Sequence, residues 1–196
     1  SNNICRPKFA IMNPVRTFTL PPYQTACGAT DIMMHTMERY FGKVDDMTLI
    51  DNIAEALMRT VKDSVFHVLE NPEDYRNRAC IMWASSLGHN DLTGDRSYAD
   101  FATHQIEHEL SAMFDVAHGA GLAAVWPSWA RYVMDENVSR FARFAVNVMG
   151  VPNDFTDTKA TAIAGVEAVE KFYRAIGMPT NIHELIGREI TDDEIK

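Results

Sequence analysis

Apolar residues along most of this chain recur at intervals of three and four, the spacing of one face of an α-helix. The clearest case is 48–69, where Ile50, Ile53, Leu57, Val61, Val65 and Val68 fall on one stripe that reads as core. Further helices are predicted over 22–41, from the Asn71-Pro72-Glu73 start to about Leu87, and over 99–113, 118–134 with a kink at Pro127, 136–148 and 157–176. Gly88, Gly150-Val151-Pro152 and Gly177-Met178-Pro179 punctuate them, since glycine closes helices and proline cannot continue them. Residues 90–97 read as a polar loop, and Thr191-Asp192-Asp193-Glu194 as the acidic first turn of a helix the chain does not complete.

Two short segments break the pattern. Residues 8–12, ended by Asn13-Pro14, predict a strand, and 15–20 is predicted to run extended until Pro21-Pro22 stops it. A lone strand leaves its hydrogen-bonding edges unsatisfied, so its sheet is expected in another chain or a removed segment. The chain is therefore expected to be one all-α, multi-helix domain over 22–196 behind an extended leader over 1–21, with no internal repeat and no low-complexity linker.

Composition narrows the partners. A chain of 196 residues, 46% hydrophobic, suffices for one domain that buries roughly 70% of its unfolded surface. Its formal charge of -9, from 27 acidic and 18 basic residues, would repel nucleic acid and an anionic membrane surface, so small molecules or proteins fit better as partners. Three widely spaced cysteines, Cys5, Cys27 and Cys80, indicate neither a disulfide framework nor a zinc ribbon. No apolar run approaches the roughly 18 residues of a membrane span, and the amino terminus lacks the charged-then-apolar layout of a signal peptide. A cytoplasmic location is expected, and the sequon at Asn137 carries no weight.

The chemistry concentrates in FATHQIEHELSAMFDVAHGAGL (101–122), which places His104, His108 and His118 close together. Asp31 and His35 form a second pair at i and i+4, which shares one helix face. Such pairs on two helices, with His118, can close a ring of ligands around one cation, and oxygen and nitrogen donors without thiolate suit Fe(II), Zn(II), Co(II), Ni(II) or Mn(II). An isolated Asp/His pair is more often a surface hydrogen bond. The string His104-Gln105-Ile106-Glu107-His108 also matches the H-x-x-E-H pattern of inverted zinc proteases, with Glu107 as water activator and Glu184 one of many candidates for the distant carboxylate ligand. That reading leaves Asp31, His35 and His118 unused. His67 and His183 read as ordinary surface positions, His89 as a residue satisfying helix-end carbonyls, and Met33, Met34 and Met37 as core filler. Gly119 and Gly121 read as places of close backbone approach, or simply as turn glycines.

Three segments, RPKFAIMNPVRTFTLPPYQTACGATDIMMHTMERYF (6–41), NPEDYRNRACIMWASSLGHNDLTG (71–94) and ATHQIEHELSAMFDVAHGAGLAAVWPSW (102–129), together resemble the iron-dependent alcohol dehydrogenases, nearest the butanol dehydrogenase and NADPH-dependent aldehyde reductase branch. The resemblance implies a dehydroquinate synthase-like C-terminal helical domain and a divalent metal, iron(II) foremost and zinc second, held by Asp31, His35, His104 and His118. It places His108 in the nicotinamide and substrate pocket, where it could relay a proton, and Thr19 and Leu20 beside the cofactor. Asp115 is expected to accept the second N–H of His118, as ligating histidines require. The branch usually has tryptophan where Phe101 stands and glycine where Asp91 stands. No G-x-G-x-x-G or G-G-G loop is present, so the dinucleotide-binding domain that would hold NAD or NADP is expected to be missing, and the chain to be a fragment of a homodimeric enzyme acting on an alcohol or aldehyde. A zinc metalloprotease and a non-catalytic helical module remain the alternatives.

Overall fold

Helix α1 (Pro22–Tyr40) is the axis of the computed structural model, which describes residues 7–42, 48–94 and 99–195. Proline at its first turn suits a position whose N–H has no intrahelical partner. Around it lie α2 (Thr48–Glu70), α3 (Tyr75–His89), α4 (Ala102–Phe114), α5 (His118–Val133), α6 (Val138–Asn147), α7 (Thr158–Ala175) and the short α8 (Ile182–Ile186) and α9 (Asp192–Ile195). Helix α1 packs on α2, α3 and α5, while α5 also meets α4, α7 and α8, and α6 packs along α7. The core runs through Met33, Met34 and Met37 of α1, Met58, Val61 and Val65 of α2, Leu122 and Trp126 of α5, and Val166 and Tyr173 of α7.

The predicted stripe on α2 is confirmed, with Leu57, Val61, Val65 and Val68 buried and Ile50 and Ile53 at its half-buried start. Helix α3 begins later than predicted. Asp74 caps it by accepting from the Asn77 N–H at 3.1 Å, leaving Asn71 and Pro72 in the preceding turn. Helix α5 continues through Pro127 to Val133, and the predicted helix over 136–148 instead starts at Val138 behind an Asn137 cap and a 3-10 turn, Met134–Glu136. Helix α8, with its Asn181 cap, was not anticipated.

The leader departs from expectation. Residues 8–12 form no strand, and the stretch predicted to run extended opens with a 3-10 helix, Pro14–Thr17. The cause is local: the Asn13 side chain accepts from the Val15 N–H at 3.1 Å, Pro14 supplies the helical φ, and no strand among the described residues competes for the backbone. The predicted polar loop over 90–97 is described only to Gly94; its later residues lie outside the described set. No helix among the described residues is long and apolar enough to cross a membrane.

Candidate metal centre

The i, i+4 geometry of α1 sets Asp31 and His35 side by side, with His35 Nε2 3.6 Å from Asp31 Oδ1. Helix α4 brings His104 Nε2 to 3.5 Å from the same oxygen, and the first residue of α5 brings His118 Nε2 to 3.4 Å. One carboxylate oxygen thus faces three imidazole nitrogens. None of these approaches closes into a hydrogen bond: Asp31 Oδ1 and His104 Nε2 are buried polar atoms without a partner, and such orphans call for explanation. Ligands about 2.0–2.2 Å from a tetrahedral ion are separated by about 3.3–3.6 Å, so this spacing and this N₃O donor set fit one divalent cation.

Two buried carboxylates stand behind the imidazoles. Glu38, one turn beyond His35, accepts from His104 Nδ1 at 2.5 Å through one oxygen, and from the Thr103 and His104 N–H groups at 2.7 and 3.2 Å through the other. Helix α4 has no side-chain cap of its own at Phe101, so Glu38 caps it from α1. Glu107 is fully buried and accepts from His118 Nδ1 and from the Ser111 hydroxyl.

Two glycines make the approach possible. A Cβ on Gly119 would sit 2.2 Å from the Cys27 carbonyl oxygen, and one on Gly121 would sit 2.6 Å from the Glu107 side chain. Both lie within α5 rather than in a turn, where their absent side chains let α5 close on α1 and on the Glu107 carboxylate.

A fourth imidazole completes the wall. His89, at the end of α3, directs Nδ1 to the Ser85 carbonyl at 2.7 Å, as expected of a helix-end residue, but its Nε2 lies 3.7 Å from Asp31 Oδ2 and its ring sits 4.0 Å from that of His35. Arg39 ties this corner together by donating to the His35 and Gly88 carbonyls, both at 2.7 Å, and to Asp91 at 3.3 Å. Three non-glycine residues at positive φ border the site: Asp91, Phe101 and Asp115, at 68°, 54° and 52°. For an aromatic residue this is a sparsely populated region, and Phe101 spends it packing edge-on against His35 and His104.

The electrostatics follow from this crowding. Burial would raise the Asp31 carboxyl, but the imidazoles of His104, His118 and His89 and the charge of His35 override it and hold it well below the usual carboxylate range. Burial likewise works against a charged His104, yet Asp31 and Glu38 on its two ring nitrogens raise it to about 9. His35 goes the other way, pushed down to about 3 by burial and by its cationic neighbours His89, His104 and Arg39 despite Asp31. His118 and His89 are raised, each chiefly by Asp31. An ionised carboxylate among imidazoles that would surrender protons to a competing cation is the expected state of a metal site.

The structure therefore brings together Asp31, His35, His104 and His118 as the sequence suggested. His108 is exposed at their edge, its ring stacked 5.5 Å from that of His118. Leu20 lines a cavity of about 390 Å³ together with Thr17, Thr25, Gly28, Ile32 and Ser85; the exposed Thr19 does not. Asp115 is not the partner of His118: it is exposed in the left-handed turn that ends α4, and Glu107 takes that hydrogen bond. The protease arrangement is not formed. His104 and His108 rings lie 6.3 Å apart and nearly perpendicular at 78°, both Glu107 oxygens are engaged, and Glu184 accepts from the Thr180 N–H at 2.8 Å. Glu38 carries no motif of its own in the sequence, although the Asp31, His35, Glu38 spacing of four and three places all three on one helix face, and His89, read as a helix-end residue, also borders the site.

Comparison with known proteins agrees with this geometry. Residues 25–195 match the model of the C-terminal part of the Fe-containing alcohol dehydrogenase family. The chain is 38% identical over 186 residues to NADH-dependent butanol dehydrogenase A of Clostridium acetobutylicum, covering 94% of this chain and 48% of that protein. It is 34% identical over 179 residues to the NADPH-dependent aldehyde reductase YqhD of Escherichia coli, covering 91% and 46%. Among solved structures, NADH-dependent butanol dehydrogenase A from Thermotoga maritima superposes with a TM-score of 0.90 at 34% identity, over 96% of this chain and 46% of that one. The substrate- and cofactor-free aldehyde reductase YqhD gives 0.88 at 33%, over 94% and 48%. The chain spans about half the length of the curated relatives it matches. With nearly its whole length matched in sequence and in fold, the chain belongs to the Fe-containing alcohol dehydrogenase family, as its C-terminal domain.

Proposed function

We propose that this chain is the metal-binding half of an NAD(P)-dependent alcohol dehydrogenase or aldehyde reductase, with iron(II) on Asp31, His35, His104 and His118. The observation that carries the reading is the single Asp31 oxygen facing three Nε2 atoms at 3.4–3.6 Å with no hydrogen bond closed among them. When bound, such a cation would supply Lewis-acid polarisation of an alcohol or carbonyl oxygen, and a nicotinamide the hydride chemistry. The protein's part is to keep three imidazoles with lone pairs inward and one carboxylate ionised in a pocket closed by α1, α4 and α5. His108, exposed beside His118, is placed to move a proton between the reacting oxygen and solvent.

Leu20 and the cavity it lines are assigned to the cofactor's edge, with Thr19 beside it. The leader, 1–21, is assigned to a separate dinucleotide-binding domain; its Phe9 and Ile11 stand 79% and 87% exposed, which apolar side chains of a finished surface seldom do together. The homodimer and the cytoplasmic location belong to the same reading.

Metal analysis after mild purification tests it. The parent should retain one divalent ion per chain, and Asp31→Ala and His118→Ala should each lose it; retention of the ion by both variants sinks the proposal. The isolated chain should not reduce aldehydes with NADPH, since the hydride donor's site is assigned elsewhere, and measurable turnover would overturn that assignment.

A further inference from the structure

Glu38 and Glu107 share a relationship that the ligand set alone does not require. Each belongs to a helix that carries metal-facing residues, and each holds a histidine of the next helix: Glu38 of α1 holds His104 of α4, and Glu107 of α4 holds His118 of α5. Both are buried, Glu38 at 4% and Glu107 at 0% exposure. Leaving a carboxylate so deep is costly unless its oxygens are engaged, and here all four are. The Glu107 seat is built by three separate positions: Ser111 supplies a hydroxyl, His118 a ring nitrogen, and Gly121 the space in which a Cβ would collide at 2.6 Å.

We propose that Glu38 and Glu107 are positioning residues of the metal centre, which fix the orientation and tautomer of His104 and His118. The inference rests on the metal-site reading above. A carboxylate can only accept, so the Nδ1 facing it carries the hydrogen, and the neutral ring is left with its lone pair on Nε2, the atom directed at Asp31 Oδ1. The anion also makes the imidazole a stronger donor. The two pairs run in series, α1 to α4 to α5, so the three helices that supply ligands are aligned by the same groups that orient them.

The test uses Co(II) as probe on the full chain, reading its affinity by chelator competition, its visible absorption spectrum, and the thermal midpoint of the metal-free protein. Glu107→Gln keeps an acceptor and loses the charge; Glu107→Ala loses both. Affinity should fall about 10-fold in the first and about 100-fold in the second, with the Co(II) bands shifted and the metal-free midpoint of the glutamine variant close to the parent's. Glu38→Gln, which keeps an acceptor for the α4 N–H groups, should behave like Glu107→Gln. Parental affinity and bands in both glutamine variants would overturn the proposal. So would a fall in affinity matched by a fall in metal-free stability with the bands unchanged, the mark of a purely structural role. If the parent binds no Co(II), or Asp31→Ala keeps it, the metal-site reading itself fails, a result distinct from either.

Discussion

Two clusters of buried carboxylates adjoin the site helix α1, and they are answered differently. Beyond its C-terminal end, Asp51 and Glu55 of α2, 2% and 3% exposed, meet arginines from α6. Arg140 clamps both Asp51 oxygens at 2.5 and 2.6 Å, while Glu55 receives Arg143 at 2.7 Å, the Tyr40 hydroxyl at 2.8 Å and Asn147 at 3.0 Å. The Tyr40 phenol, buried and donating to Glu55, is pushed above its ordinary range. Every charge there has a fixed counter-charge, so the cluster can only hold α1, α2 and α6 together. In the other cluster, Asp31, Glu38 and Glu107 meet imidazoles, backbone N–H groups and a serine hydroxyl. Imidazole, unlike guanidinium, can give up its proton and present a lone pair. A carboxylate cluster built on arginine is finished as it stands, whereas one built on histidine is able to take a cation from outside.

The contrast can be broken at either end. The largest effect on stability is expected from Arg140→Leu, which leaves buried Asp51 only the longer Arg143 contact at 3.4 Å and should cost about 3–5 kcal/mol in chemical denaturation, while the molecules that remain folded bind metal as the parent does. Asp31→Ala is the mirror case: metal affinity should fall by more than about 100-fold, beyond the effect of an outer partner, with the metal-free unfolding midpoint nearly unchanged. If Asp31→Ala unfolded the chain as Arg140→Leu does, the two clusters would not differ in kind. Gly121→Ala forces a methyl against Glu107 and should cost about 1–3 kcal/mol while weakening metal binding. Gly28→Ala on α1, whose added Cβ meets nothing within 4 Å, should instead stabilise by about 0.5–1 kcal/mol. The smallest effect is chemical: burial raises the Cys27 thiol above its ordinary range, so peptide mapping after brief alkylation at neutral pH should find Cys27 modified more slowly than the partly exposed Cys80.

Much of the site could be read from spacing because spacing is what a helix fixes. Asp31 and His35 are neighbours on any helix through them. The errors cluster where local pattern and local structure part. The leader carries strand-like residues yet folds as a 3-10 turn because Asn13 and Pro14 act within three residues. Asp115 is near His118 in the chain, but the left-handed turn at the end of α4 carries it outward. Glu107 belonged to a motif with a different meaning, and only its burial beside Ser111 and His118 reveals its use.

The sequence by itself determined the all-α class, most of the helices and the pairing of Asp31 with His35, since periodicity and i, i+4 geometry are properties of single helices; the choice of His104 and His118 over His108 came from the family resemblance. Only the tertiary structure decided what stands behind those side chains. Glu38 reaches His104 across 66 residues, His89 reaches Asp31 from the end of another helix, and Gly119 and Gly121 set how closely α5 can approach both. Such contacts depend on how helices pack, and no single segment contains the information that places them.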